Sequence, residues 1–136
     1  MIWAEVGKVV IGVALMAISA GLAVVLMAGM ETTSGRVERK AVTLLQLWLS
    51  PEQAEQYSSY GHFEVIGSDT GTRYRIRHGR VMNIDQLDSA GNTVCEWCFA
   101  PKGNLAAGDC MLAQKIALER FESGALAIAN HRPGQA

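Results

Sequence analysis

The segment "TRYRIR", Thr72 to Arg77, alternates strictly, with Tyr74 and Ile76 on one side and Arg73, Arg75 and Arg77 on the other. Such period-2 alternation fits a half-buried β-strand and no helix, because successive side chains on a strand point to opposite faces. The strand does not stand alone. "FEVIGS" precedes it and "VMNIDQL" and "TVCEWCF" follow, separated by "DTG", "HG" and "DSAGN". Turn signals every ten residues or so between short alternating runs predict a four-stranded antiparallel meander.

Around this meander the period returns to that of a helix. "RVERKAVTLLQLWL" places Val42, Leu45, Trp48 and Leu49 on a helical stripe. At "SPEQ", Ser50 is a good N-cap, Pro51 suits the first helical position and Gln53 completes a capping box, so a second helix is predicted from Pro51 to about Tyr60, ended by Gly61. After Pro101 and the loop "KGNLAAG", Asp109 is the expected N-cap of a last helix from Cys110 to about Asn130. A wheel puts Ala113, Ala117, Leu118, Phe121, Gly124, Ala125 and Ile128 on one face, with Lys115, Glu119, Glu122 and Ser123 opposite. Gly124 is a place where that helix can bend or end. The expected core is Tyr74, Ile76, Met82, Ile84, Cys95, Trp97, Phe99, Ala117 and Phe121.

The N-terminal end obeys a different rule. Val9 to Gly29 is 21 residues without a charge. As one helix it would be roughly 32 Å long, enough for a hydrocarbon core of about 30 Å. The run exceeds a signal-peptide apolar core and "VVLMAGM" lacks a small-x-small cleavage site. The expectation is therefore a single-pass anchor over 1–30, meeting the bilayer through 9–29, with a linker at 31–35, a small α+β domain at 36–130 and a flexible tail at 131–136. Arg36, Arg39 and Lys40 outnumber Lys8 across the span, which predicts an inner (plasma) membrane protein with its domain in the cytoplasm. Ala17 and Gly21 form a small-x-x-x-small spacing that would suit pairing of such helices. From Met30 on, eleven basic and twelve acidic residues balance, and the whole chain carries a formal charge of −1, which gives no field for nucleic acid.

Three cysteines, Cys95, Cys98 and Cys110, fall within sixteen residues. A zinc or redox C-x-x-C needs both sulfurs on one side, at a turn or a helix start. Here the pair lies in a strand, so the sulfurs diverge, and His62, His78 and His131 are scattered. Cys110 falls in a first helical turn, where the dipole can lower a thiol pKa, but no base lies near in sequence. Packing is the favoured role of all three; a thiol-redox or zinc-binding protein using Cys95, Cys98 and Cys110 is the alternative. No P-loop, G-x-S-x-G or H-E-x-x-H motif is present. No catalytic, cofactor-binding or metal residue is assigned.

The remaining candidate surface is Arg73, Arg75 and Arg77, with Arg80 after the turn. Phosphate, from lipid heads or elsewhere, could sit on such a ridge. Glu64, Asp85 and Glu96 are expected on the same outer face, where cross-strand pairing accounts for the pattern without a ligand. Segments "WLSPEQAEQY", "FEVIGSDTGTRYRIRHGRVMN" and "CFAPKGNLAAGDCMLAQKIALERFE" resemble a family of short, uncharacterised bacterial proteins, from Trp48 to about Ala129. The resemblance implies no catalytic residue. The expectation is a non-enzymatic interaction or accessory module, acting on a protein partner or on itself, with no cofactor.

Overall fold

The structure is a computed structural model that describes residues 32–134. Three helices and five strands follow one another as α1 (Thr33–Trp48), α2 (Pro51–Tyr60), β1 (His62–Ile66), β2 (Arg73–Arg77), β3 (Ile84–Leu87), β4 (Thr93–Cys98), α3 (Ala107–Ile128) and β5 (Asn130–Pro133). The strands lie side by side in chain order, each antiparallel to its neighbour. The sheet and the core lie within one compact unit that begins at Val37.

Alternation decides which face of the sheet is buried. One row of directly opposed residues runs Phe63, Ile76, Ile84, Trp97, His131, and the next runs Val65, Tyr74, Gln86, Cys95, Pro133. These rows form the inner face. Phe63, Val65, Tyr74, Ile76 and Ile84 are fully buried there against Leu45 of α1 and Met111 and Leu118 of α3, with Leu49 and Tyr57 packed beside them. Each such side chain contributes about 1.5–3 kcal/mol by leaving water. The helices thus cover one face.

The joints follow local chemistry. Ser50 and Gln53 form the reciprocal capping box that starts α2, and Gly61 in the left-handed region ends it. From α2 two glutamines reach the exposed edge of β1: the Glu64 N–H donates to Gln56 Oε1 at 2.8 Å, and Gln53 Nε2 donates to the Glu64 carbonyl at 2.9 Å. That edge is therefore closed to further strand pairing. Against α1, α3 comes so close that a Cβ on Gly108 would stand 2.5 Å from the Ala41 carbonyl carbon, so only glycine fits.

Several expectations are overturned. The sheet has five strands, not four, because "NHRP" at the predicted flexible tail is β5. It is held by pairing with β4, by a Trp97–His131 ring contact at 4.9 Å and by an Arg132–Glu96 ion pair. Met82, expected in the core on a strand, has φ 48 and belongs to the β2–β3 turn. α3 begins at Ala107 rather than Cys110; its N-cap, Ala106, offers no side-chain bond, and Asp109 lies inside the first turn. The helix breaks at Phe121 (φ −146, ψ 44), three residues before Gly124. That break turns Phe121 out to 70% exposure and brings Glu122 in to 1%, the reverse of the expected wheel. Helix α1 starts at Thr33, within the segment expected to be a linker.

The membrane expectation is corrected as well. No helix among the described residues is long and apolar enough to cross a membrane. α3 has 22 residues but carries Asp109, Lys115, Glu119, Arg120 and Glu122, each costly in hydrocarbon. The single-pass, inner-membrane architecture is therefore unsupported by the described fold. The stretch 9–29 and the Ala17/Gly21 spacing on which it rested lie outside the described residues.

Candidate functional site

Polar side chains drawn into the interior are the usual places to find chemistry; two such groups pack on α3, and a third, half-exposed polar group lies at its start. The first is a clasp around Glu122. Its Oε2 accepts from the N–H groups of Asp69 and Thr70, both at 2.8 Å, and its Oε1 accepts from the hydroxyls of Thr70 at 2.6 Å and Tyr74 at 2.7 Å. The β1–β2 turn reciprocates at the break in α3: Ser68 N–H donates to the Leu118 carbonyl, Ser68 Oγ accepts from the Glu122 N–H, and Asp69 accepts from the Ser123 N–H. Burial pushes the Glu122 carboxyl up, but the hydrogen bonds outweigh it and hold the group below the ordinary glutamate value. Burial, then the neighbouring Glu122, pushes the Tyr74 phenol far up. Four donors fill the carboxylate, which leaves no lone pair for a substrate or a proton in transit. Glu122 is a structural anchor.

The second group is a reciprocal amide pair. Asn83 Nδ2 donates to Gln114 Oε1 and Gln114 Nε2 donates to Asn83 Oδ1, both at 2.9 Å; the second Asn83 hydrogen is shared by the Arg77 and Gly79 carbonyls, and the second Gln114 hydrogen goes to the Phe99 carbonyl. It fixes the β2–β3 turn to α3 and is fully satisfied.

The third group lies at the start of α3. The Glu38 carboxylate accepts from the Ala107 N–H at 3.0 Å and the Gly108 N–H at 3.3 Å, supplying the cap that Ala106 lacks. Next to it Tyr57 Oη and His78 Nδ1 share a hydrogen bond at 2.9 Å, and His78 Nε2 stands 4.0 Å from Glu38. Burial, then the Glu38 charge, raises the Tyr57 phenol. Cys110 is near but only 3% exposed. Burial pushes its thiol up, Arg80 works against this, and Asp109 and Glu38 add to it. A protonated thiol in an apolar wall is a poor nucleophile, so the lowering expected from the helix dipole does not prevail.

The other cysteines are placed by strand parity. Cys95 lies opposite Gln86 on the inner face, and Cys98 lies opposite Asn130 on the outer. The bulge of β4 falls at the Gln86/Leu87 step, before Cys95 rather than between the sulfurs. Burial, then Glu96, raises the Cys95 thiol. Among the described residues no three His, Cys, Asp or Glu side chains are grouped to hold a metal. A cleft of ≈ 450 Å³ beside the β1 edge is lined by Gln53, Gln56, Glu64 and Glu119. Glu119 is already engaged by Gln53 and Lys115 there.

The arginine strand leads to the outer face. Arg73, Arg75 and Arg77 project from it, whereas Arg80 turns away and donates to Asn104 Oδ1 and the Leu105 carbonyl. Glu64, Arg75, Asp85, Glu96 and Arg132 stand directly opposite one another in a single row across all five strands. Arg73 Nε donates to Glu64 at 3.2 Å, and Arg77 bridges Asp85 and Glu96 at 3.0 and 3.2 Å. These carboxylates neutralise the ridge, which removes the net positive field a phosphate site needs. Arg75 is served least. Its one ion pair, to Glu64, is 3.7 Å long, and its Nε is buried without a partner. His62 Nδ1, on the neighbouring strand and the same face, is buried and unpartnered too. Burial, then the Arg75 charge, holds His62 below the ordinary histidine value, so its ring is neutral at pH 7. Ile66, at one end of the face, is 55% exposed.

The strand pattern alone disclosed Arg73, Arg75 and Arg77 and their carboxylates. It missed His62, which alternates with Phe63 and Val65 and so is outward by parity, and Arg132, which has no alternating run around it. Comparison with family models, with curated proteins and with solved structures finds no match to this chain.

Proposed function

We propose that this chain is a non-enzymatic protein-interaction module whose contact surface is the outer face of the sheet. One observation carries the reading. The buried side-chain polar atoms left without a partner among the described residues, His62 Nδ1 and Arg75 Nε, both belong to this face. A buried orphan donor or acceptor costs about 1–3 kcal/mol, and folded chains pair nearly all of them. The inner side of the molecule obeys that rule in every polar cluster described above. Neither atom touches solvent in the isolated chain, so relief requires the Arg75 and His62 side chains to turn toward a partner that brings its own polar groups, and such a partner would also cover Ile66.

The reading as an enzyme has less behind it. The buried carboxylate is saturated, and the Cys95 and Cys110 thiols are raised. The arginine ridge as a phosphate or lipid-head site is weakened by its three carboxylates.

The test is a photoreactive residue placed in the full chain in living cells, at Ile66 on the outer face or at Ile116 on the exposed side of α3. The expected result is a protein adduct from position 66 and none from 116. Adducts from 116 alone, or none from either, overturn the reading.

A further inference from the structure

From the order of charges across the sheet, we infer that the partner on the outer face is a second copy of this chain. The inference rests on the reading above and names its occupant. The row reads Glu64, Arg75, Asp85, Glu96, Arg132, which is −, +, −, −, + from β1 to β5. Two sheets stacked face to face can be related by a two-fold axis parallel to the strands. That operation reverses strand order, so β1 lies over β5, β2 over β4 and β3 over itself. Glu64 then faces Arg132 of the partner subunit, and Arg75 faces Glu96 of the partner subunit. Symmetry repeats both pairs, so opposite charges meet at four of the five positions. The exception is Asp85 on itself, and Asp85 is already 5% exposed and taken by Arg77. A two-fold axis across the strands would instead set every charge on its own copy. Of these two axes, only the one parallel to the strands makes the row complementary to itself.

The contacts also answer the deficit within one chain. The Arg75 guanidinium makes only one long contact, from Nη2 to Glu64 at 3.7 Å, and Glu96 uses one lone pair on each oxygen, for Arg77 and for Arg132. Two lone pairs remain. Five strands about 4.8 Å apart and roughly 17 Å long give a footprint of about 400 Å² per copy. That is the size of a weak, reversible interface, in which charge complementarity sets orientation more than strength.

The experiment repeats the photoreactive residue at Ile66 in the full chain, and the adduct's mass and a charge cycle are read together. Wild type is expected to give an adduct of twice the chain mass. Arg75→Glu and Glu96→Arg, each expressed alone, should lose it by at least about tenfold, since like charges then face one another. Co-expressed, the two variants complement each other at both positions, and a mixed adduct should return. The same cycle with Glu64→Arg and Arg132→Glu guards against a variant that fails to fold. An Ile66 adduct of any other mass overturns the second copy but keeps the interaction reading. No adduct overturns both. A doubled adduct indifferent to both charge cycles overturns the proposed face-to-face arrangement.

Discussion

The two faces of the sheet solve the same problem in opposite ways. On the inner side the polar groups drawn out of water are met by the chain itself, Glu122 by four donors and Asn83 by Gln114, and the half-exposed Glu38 caps the first N–H groups of α3. On the outer side the charges are packed just as regularly, but the ledger is left open at Arg75 and His62. Satisfied polar clusters specify one structure and are costly to break. Unsatisfied ones weaken the isolated chain slightly, and on the reading proposed above a partner offsets that loss. The difference separates what builds this molecule from what it presents.

The sharpest way to break the comparison is at Glu122. Replacing it by alanine strands two N–H groups and two hydroxyls, and the expected loss is about 3–5 kcal/mol. Since domains of this size hold about 5–15 kcal/mol in all, Glu122→Ala should show a greatly lowered urea midpoint or fail to fold. Gly67→Ala attacks the same clasp from the other side, since its Cβ would meet the pinned carboxylate at 2.3 Å. The clasp also predicts a pH dependence. Glu122 titrates below its ordinary value of 4.5 in the folded chain. Its contribution is therefore complete above pH 4.5 and is lost as pH falls through the depressed folded value. Tyr74 is shifted the other way, so its contribution is complete below 10 and fades as pH rises beyond. Urea midpoints of wild type and Glu122→Gln between pH 3 and 7 check the acid limb; an equal slope in both would mean the clasp is not the group responsible.

Next in size are single contacts. Gly108→Ala forces a methyl against the α1 backbone at 2.5 Å and should cost about 1–3 kcal/mol by overpacking. Asn83→Ala leaves Gln114 with an unmet acceptor and should cost about 1–3 kcal/mol, whereas Asn83→Ala with Gln114→Leu should recover part of it, because removing both partners is cheaper than removing one. Thermal melts of the three variants measure both effects.

How much of this the sequence discloses depends on whether the information is local. The alternation of Tyr74 and Ile76 with three arginines, the turns between strands and the Ser50–Gln53 box each act within a few residues, and each is legible. So is the pairing of the arginines with Glu64, Asp85 and Glu96, which needs only parity and neighbouring strands. Glu122 and Gln114 are illegible for the opposite reason. A binary pattern sends polar residues outward, and only the turn at Ser68–Thr70 and the amide of Asn83, more than thirty positions away in either case, make their burial favourable. Phe121 is misplaced by the same pattern, because the break there rotates the wheel. β5 has too few residues for any period to show, and the Glu38 cap spans 69 positions. Of the outer face, the charges are readable one by one; their order across five strands emerges only with the register.

The smallest expected effect on stability is therefore the most informative. Arg75→Ala removes a cation with one long ion pair and an orphaned Nε. Surface ion pairs contribute about 0–1 kcal/mol; this pair is more buried, at 26% and 25% exposure, but it is long at 3.7 Å, and loss of the orphan offsets part of its contribution. The melting temperature of the isolated variant should stay close to wild type, in contrast to every inner-face change above, while the position-66 adduct declines. If Arg75→Ala instead destabilises the chain as much as Asn83→Ala, Arg75 belongs to the internal framework and the outer face is no longer the side left open. If it changes neither stability nor adduct, the orphaned Nε carries no meaning for binding. Only a stable variant with a weakened adduct keeps the two faces distinct, one closed on itself and the other completed from outside.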